Sequence, residues 1–157
     1  MGMDVYGANP TIRKQVKSKI LEKVGYTGDD EWYERWKVLS EKDKSKYSDA
    51  RRQQERDNPG IYFRNSCWGW RPLWDYVYSL CDDFISESRW DGGHANSGES
   101  FTKEEARMIA ARLYKSIHDG SVSDFVNKRE SEGYGFNKDN VKAFADFCKD
   151  SGGFEIC

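Results

Sequence analysis

Tyr62-Phe63-Arg64-Asn65-Ser66-Cys67-Trp68-Gly69-Trp70-Arg71-Pro72-Leu73-Trp74 holds three of the chain's six tryptophans and no lysine or carboxylate. Working outward, Leu73, Tyr76, Val77, Leu80, Phe84 and Ile85 recur at helical spacing after Pro72, a residue that a first helical turn tolerates. This predicts a central helix with Trp74 packed inside. Upstream, Ile61-Tyr62-Phe63 reads as a short strand. Trp68 and Trp70 flank Gly69, and extended backbone there would put both rings on one face. Flat Trp and Arg faces beside a directional Asn amide suit a binding surface.

The ends of the chain alternate as strands do. Met3-Asp4-Val5-Tyr6 stops at Gly7-Ala8-Asn9-Pro10, and Gly153-Phe154-Glu155-Ile156-Cys157 mirrors it. Two short terminal strands need partners, so the expected sheet joins them to each other and to the segment near residues 60–64. The rest of the chain reads as helix. Thr102 and Glu105 form a capping box before Ala106, Ile109, Ala110, Leu113 and Ile117, with a stop at Gly120. Val122, Phe125 and Val126 suggest a weaker helix broken by Gly133-Tyr134-Gly135. Asn137 caps a last helix with Val141, Phe144, Ala145 and Cys148 inward, and Ser151-Gly152-Gly153 ends it. Arg89 through Gly98 carries enough glycine to be read as a loop.

Residues 11–58 have a different texture and are expected to be a helical insertion. Ile12, Val16, Ile20, Leu21 and Val24 predict one helix ending at Gly25. Trp32, Tyr33, Trp36 and Leu39 follow, and Ser40 caps a third helix running to Arg56. The insertion carries 13 Lys and Arg against 10 Asp and Glu. The expected fold is α+β: a mostly helical single domain of residues 1–157 with a small sheet.

Composition narrows the function. Hydrophobic residues make up 37% and charged residues 33% of 157 positions, so six Trp, nine Tyr and eight Phe must build much of the core. A net charge of −2, with no dense basic block, argues against general nucleic-acid binding. No apolar run is long enough for a bilayer and no secretory leader is evident, so a cytoplasmic location and no membrane partner are expected. Cys67, Cys81, Cys148 and Cys157 contain no C-x-x-C pair; reduced thiols are expected, and neither a metal nor another cofactor.

The candidate polar residues are modest in chemistry. Arg64 and Arg71 each need a partner, whether Asp4, Asp75 or an anionic ligand. His94, near Asn96 and Ser97, could serve as a general base, yet no nucleophile accompanies it. Adjacent Asp82 and Asp83 point to different helix faces and read as solvated. Cys148 reads as a small core residue.

Taken together, Met1-Gly2-Met3-Asp4-Val5-Tyr6-Gly7-Ala8-Asn9-Pro10, Tyr62-Phe63-Arg64-Asn65 with Trp68 and Trp70-Arg71-Pro72-Leu73-Trp74, Gly92-Gly93-His94 with Asn96-Ser97-Gly98, and Asn140-Val141 through Ser151-Gly152-Gly153-Phe154 resemble a family of uncharacterised bacterial and phage proteins. The resemblance covers residues 1–10 and 59–157, sets residues 11–58 apart as an insertion, and implies no reaction. It groups Asn9, Arg64, Asn65, Arg71, His94, Asn96 and Ser97, and with Trp68 these would make an aromatic-walled, neutral-to-basic pocket for a nucleotide-type anionic ligand. A phage protein that sequesters a host immune signalling nucleotide in the host cytoplasm is the leading expectation. The alternatives are an enzyme acting on a nucleotide-type substrate with His94 as general base, and an interaction module in which the insertion, through Trp32 and Trp36, grips a partner or a second copy of the chain.

Overall fold

The structure, a computed structural model, describes residues 2–25, 31–131 and 136–157, with backbone only for 129–131. Element order is β1 (Gly2–Gly7), α1 (Lys19–Val24), α2 (Trp32–Lys37), α3 (Glu41–Asp57), β2 (Tyr62–Ser66), α4 (Cys67–Cys81), α5 (Glu87–Ala95), β3 (Glu99–Phe101), α6 (Lys103–His118), α7 (Ser121–Ser131), α8 (Lys138–Asp150) and β4 (Phe154–Ile156). The chain forms two compact units, Met1–Thr11 with Pro59–Cys157, and Ile12–Asn58. The fold is mostly helical α+β with a minor sheet, as the sequence predicts. The glycine break expected at Gly133-Tyr134-Gly135 lies outside the described residues.

In the larger unit the four strands run β2-β1-β4-β3, every pair antiparallel. Val5 pairs with Phe63 on one side and Ile156 on the other, so both termini and the segment near 60–64 share one sheet. The three-residue edge strand β3 adds Phe101 opposite Phe154 and is too short to show a periodicity. Met3, Val5, Phe63, Phe101, Phe154 and Ile156 face inward, and the sheet meets α4 and α8. Ring contacts dominate this core: Trp70 stacks on Trp74 at 5.5 Å and 10°, and Phe144 meets Trp70 edge-on at 5.5 Å.

Helix α4 begins earlier than the sequence suggests. Ser66 caps it by accepting from the Gly69 amide at 3.2 Å, which places Pro72 inside the helix rather than in its first turn. Pro72 lacks an N–H, so the backbone bond to the Trp68 carbonyl is forgone. Because residues 67–70 are helical, Trp68 and Trp70 do not share a face: Trp70 is 0% exposed and Trp68 76%.

The expected loop over Arg89–Gly98 is mostly the helix α5. Ser86 caps it through the Arg89 amide, and Asn96 closes it in the left-handed conformation, φ 57°. Its glycines serve packing instead of breaking the helix. A Cβ on Gly93 would stand 2.4 Å from the Trp74 indole nitrogen, so a bare backbone is the only surface this close to the tryptophan pair. Trp70 and Trp74 donate their indole N–H groups to the Gly93 and Trp90 carbonyls, both at 2.9 Å.

The caps read from sequence are present. Thr102 and Glu105 form the reciprocal capping box of α6, and the Asn137 side chain accepts from the Asn140 amide at 2.8 Å. All four cysteines are free, and burial raises the Cys148 thiol well above its ordinary range. Asp83 is more than solvated: it pairs with Arg112, whose guanidinium also donates to the Leu80 carbonyl.

The smaller unit departs most from expectation. Only Lys19–Val24 of the predicted Ile12–Val24 helix forms. Asn58, fully buried, accepts from the Arg13 and Lys14 amides at 2.7 and 3.0 Å, and Gln54 accepts from the Val16 amide at 2.6 Å. In a helix starting at Ile12 the Val16 amide would serve the ladder, while the Arg13 and Lys14 amides would have no intrahelical acceptor; α3 side chains take all three. The core here is small, Leu21, Val24 and Tyr47 with Trp32 and Trp36 against it, and the Tyr47 hydroxyl bridges the Trp32 indole to the Gly25 carbonyl.

Candidate functional site

Helices α4 and α8 start beside one another, and a cleft of about 450 Å³ opens between their first turns, lined by Asn65, Ser66, Trp68, Gly69, Asn137 and Asn140. That volume lies within the range of about 300–1,000 Å³ typical of small-molecule sites. The lining has no ionisable side chain. The Asn65 amide nitrogen donates to the Asn140 carboxamide oxygen at 2.9 Å, which orients both groups. Gly69 makes room for this, since a Cβ there would stand 2.5 Å from the Asn65 carboxamide oxygen. The Asn137 oxygen is committed to its helix cap, and its amide nitrogen keeps its donors.

Trp68 projects from the second position of α4 at the cleft's rim. A tryptophan this exposed leaves a flat apolar face in water. Arg71, also exposed, lies three residues along the same helix surface, the spacing at which side chains become neighbours.

The remaining predicted residues do not join this cleft. Arg64 is exposed on β2 with its Nε 3.6 Å from Asp4, the structural pairing considered from sequence. Asp4 also accepts from the Tyr62 hydroxyl, and burial together with that bond pushes the Tyr62 phenol up to about 12. Asn9 lines a different cleft, beside Lys103. Ser97 donates its hydroxyl to the Gly92 carbonyl at 3.0 Å, and Asn96 closes α5. None of Arg64, Arg71, His94, Asn96 or Ser97 is among the lining residues of either cleft.

His94 instead meets Asp75, the residue that follows the aromatic segment. Its Nε2 lies 3.0 Å from the Asp75 carboxylate, which also accepts the Trp90 indole N–H at 3.0 Å, and the two rings meet edge-on. Asp75 thereby orients the imidazole. Asn137 and Asn140 were legible only as cap and family-block residues; their three-residue spacing places them at one helix start, but nothing in it shows Asn65 opposite.

The smaller unit has its own cleft of about 280 Å³, with Trp32, Trp36 and Tyr47 beside Arg51 and Arg52. Among the described residues, no group of three or more His, Cys, Asp or Glu could hold a metal ion, and no helix is long and apolar enough to cross a membrane. No protein-family model, curated protein or solved structure matches the chain.

Proposed function

We propose that the chain binds a small nucleotide-type ligand without turning it over, in the cleft beside Trp68. The observation that carries this is an indole face 76% exposed at the rim of a cleft walled by three asparagine amides. A nucleobase stacked on an aromatic side chain is worth about 1–3 kcal/mol, and an Asn amide can pair donor and acceptor with a base edge. Asn65 and Asn140 are already oriented by their mutual hydrogen bond, so little side-chain freedom is lost on binding. Arg71, one turn from Trp68, supplies the cation for an anionic ligand.

The Ser66 hydroxyl in the cleft is engaged as the α4 cap, and no base accompanies it there. Such a site acts by holding its ligand away from other proteins. Sequestration of a signalling nucleotide is the use that the chain's size and the chemistry of the cleft suggest.

Isothermal titration with cyclic dinucleotides, ADP-ribose derivatives and nucleoside monophosphates tests this. Binding to at least one, weakened about tenfold or more in Trp68→Ala, is expected, with the ligand recovered intact. A folded protein that binds none of them refutes the proposal. The Asp75–His94 hydrogen bond favours the enzymatic reading as runner-up, and that reading requires product formation that His94→Ala abolishes while affinity survives.

A further inference from the structure

Beyond β1 the segment Asn9-Pro10-Thr11 lies along the C-terminal end of α8. The Asn9 and Thr11 amides donate to the Ser151 and Asp150 carbonyls at 3.0 and 2.7 Å. Two glycines with positive φ make the approach possible. A Cβ on Gly152 (φ +65°) would stand 2.1 Å from the Asn9 carbonyl oxygen, and one on Gly153 (φ +99°) would stand 2.8 Å from the Phe101 oxygen and 3.2 Å from the Lys103 amide. The exit of β1, the end of α8 and the start of α6 therefore converge.

Between them lies a cleft of about 220 Å³ whose lining includes Asn9, Thr11, Lys103, Arg107, Lys149 and Gly152, with no carboxylate. Its three cations are exposed, and among the described residues none forms an ion pair. Asp146, one helical turn before Lys149, already holds Lys142 at 2.7 Å and the Tyr114 hydroxyl. The placement of these charges is locally unfavourable. Lys103 is the first residue of α6, the positive end of the helix dipole, and Arg107 follows it at the spacing where like charges repel. A negative group in the cleft relieves both conflicts at once. Asn9 and Thr11 add an amide and a hydroxyl as further donors.

We infer that this cleft is an oxyanion site that takes a phosphate-class group, distinct from the Trp68 cleft. Its volume is below the roughly 300 Å³ where sites for whole small molecules begin, so it holds the anionic group and not a base. Arg107 offers the planar fork that matches phosphate oxygens, while Lys103 and Lys149 act as point charges around it. The site unites Asn9-Pro10 of the first sequence block with Ser151-Gly152-Gly153 of the last.

The test is titration of inorganic phosphate and, separately, ADP into the full chain at low ionic strength. The triple variant K103Q/R107Q/K149Q is measured alongside, with near-ultraviolet circular dichroism to establish that it is folded. Binding that falls about tenfold or more in the triple variant is expected. Either anion behaving so upholds the site, and the tighter of the two tells whether the group arrives free or on a nucleotide. Failure of folded wild-type protein to take up either anion, or unchanged affinity in the triple variant, overturns it. Trp68→Ala leaves phosphate affinity within about twofold, since it alters only the other cleft, so the two proposals can fail separately.

Discussion

The two compact units are held together by different means. Residues 1–11 with 59–157 enclose a dense set of rings, in which Trp74, Trp70, Phe144 and Phe154 follow one another in successive edge or face contacts. Among the described residues of 12–58, three apolar side chains are buried, and Asn58, Gln54 and the Tyr47 hydroxyl fix backbone that has no regular structure. Apolar packing in the first unit removes area from water and tolerates no gap, whereas side-chain hydrogen bonds in the second replace bonds that water could offer. The larger unit should therefore be the more stable, and it carries both proposed sites.

The strongest way to break this contrast is Trp74→Ala. It empties the centre of the ring cluster and should cost about 3–5 kcal/mol, lowering the denaturation midpoint of the larger unit. Gly93→Ala acts on the same contact from the other side. The added methyl overlaps the Trp74 indole, with an expected loss of about 1–3 kcal/mol by the same measurement.

Asn58→Ala is the matching change in the smaller unit. It removes acceptors from the Arg13 and Lys14 amides and should cost about 1–3 kcal/mol. Hydrogen exchange should show loss of protection at residues 13, 14 and 16, with β1 and α4 unchanged. Equal loss in both units would contradict this contrast.

Alkaline pH sharpens the comparison further. Tyr62 is raised from its ordinary value of 10.0 to about 12, first by burial and then by Asp4. The folded state keeps the proton that the unfolded chain releases, so this contribution is intact below pH 10 and is lost as pH rises from 10 to 12. Tyr62→Phe should flatten the decline in denaturation midpoint between about pH 10 and pH 12. Tyr47, in the smaller unit, is also raised, chiefly by burial, so part of the decline survives the substitution. The smallest stability effect belongs to Trp68→Ala, within about 0.5 kcal/mol, because the ring contributes nothing to the core. A large loss there would mean that the exposed indole is structural, and would remove the basis for the ligand cleft.

What the sequence determined by itself was local. Ser40, Thr102 with Glu105, and Asn137 cap helices through groups within three residues, and alternation in Met3–Tyr6 and Phe154–Ile156 names strands, because in each case the interacting atoms are adjacent along the chain. Asn65 and Trp68, singled out by composition, line one cleft. Three matters were decided only by tertiary structure. Asn58 and Gln54 hold residues 13–16 outside the helix that their periodicity suggested, since acceptors some 40 positions away satisfy the Arg13, Lys14 and Val16 amides. Gly93 sits within a helix because the Trp74 indole packs on a backbone surface without a side chain, a demand that glycine content alone reads as a break. The division of Trp68 from Trp70 followed from Ser66 starting a helix early, and the meeting of Asn9 with Lys103, Arg107 and Lys149 followed from sheet pairing that brought the first and last blocks of the chain together.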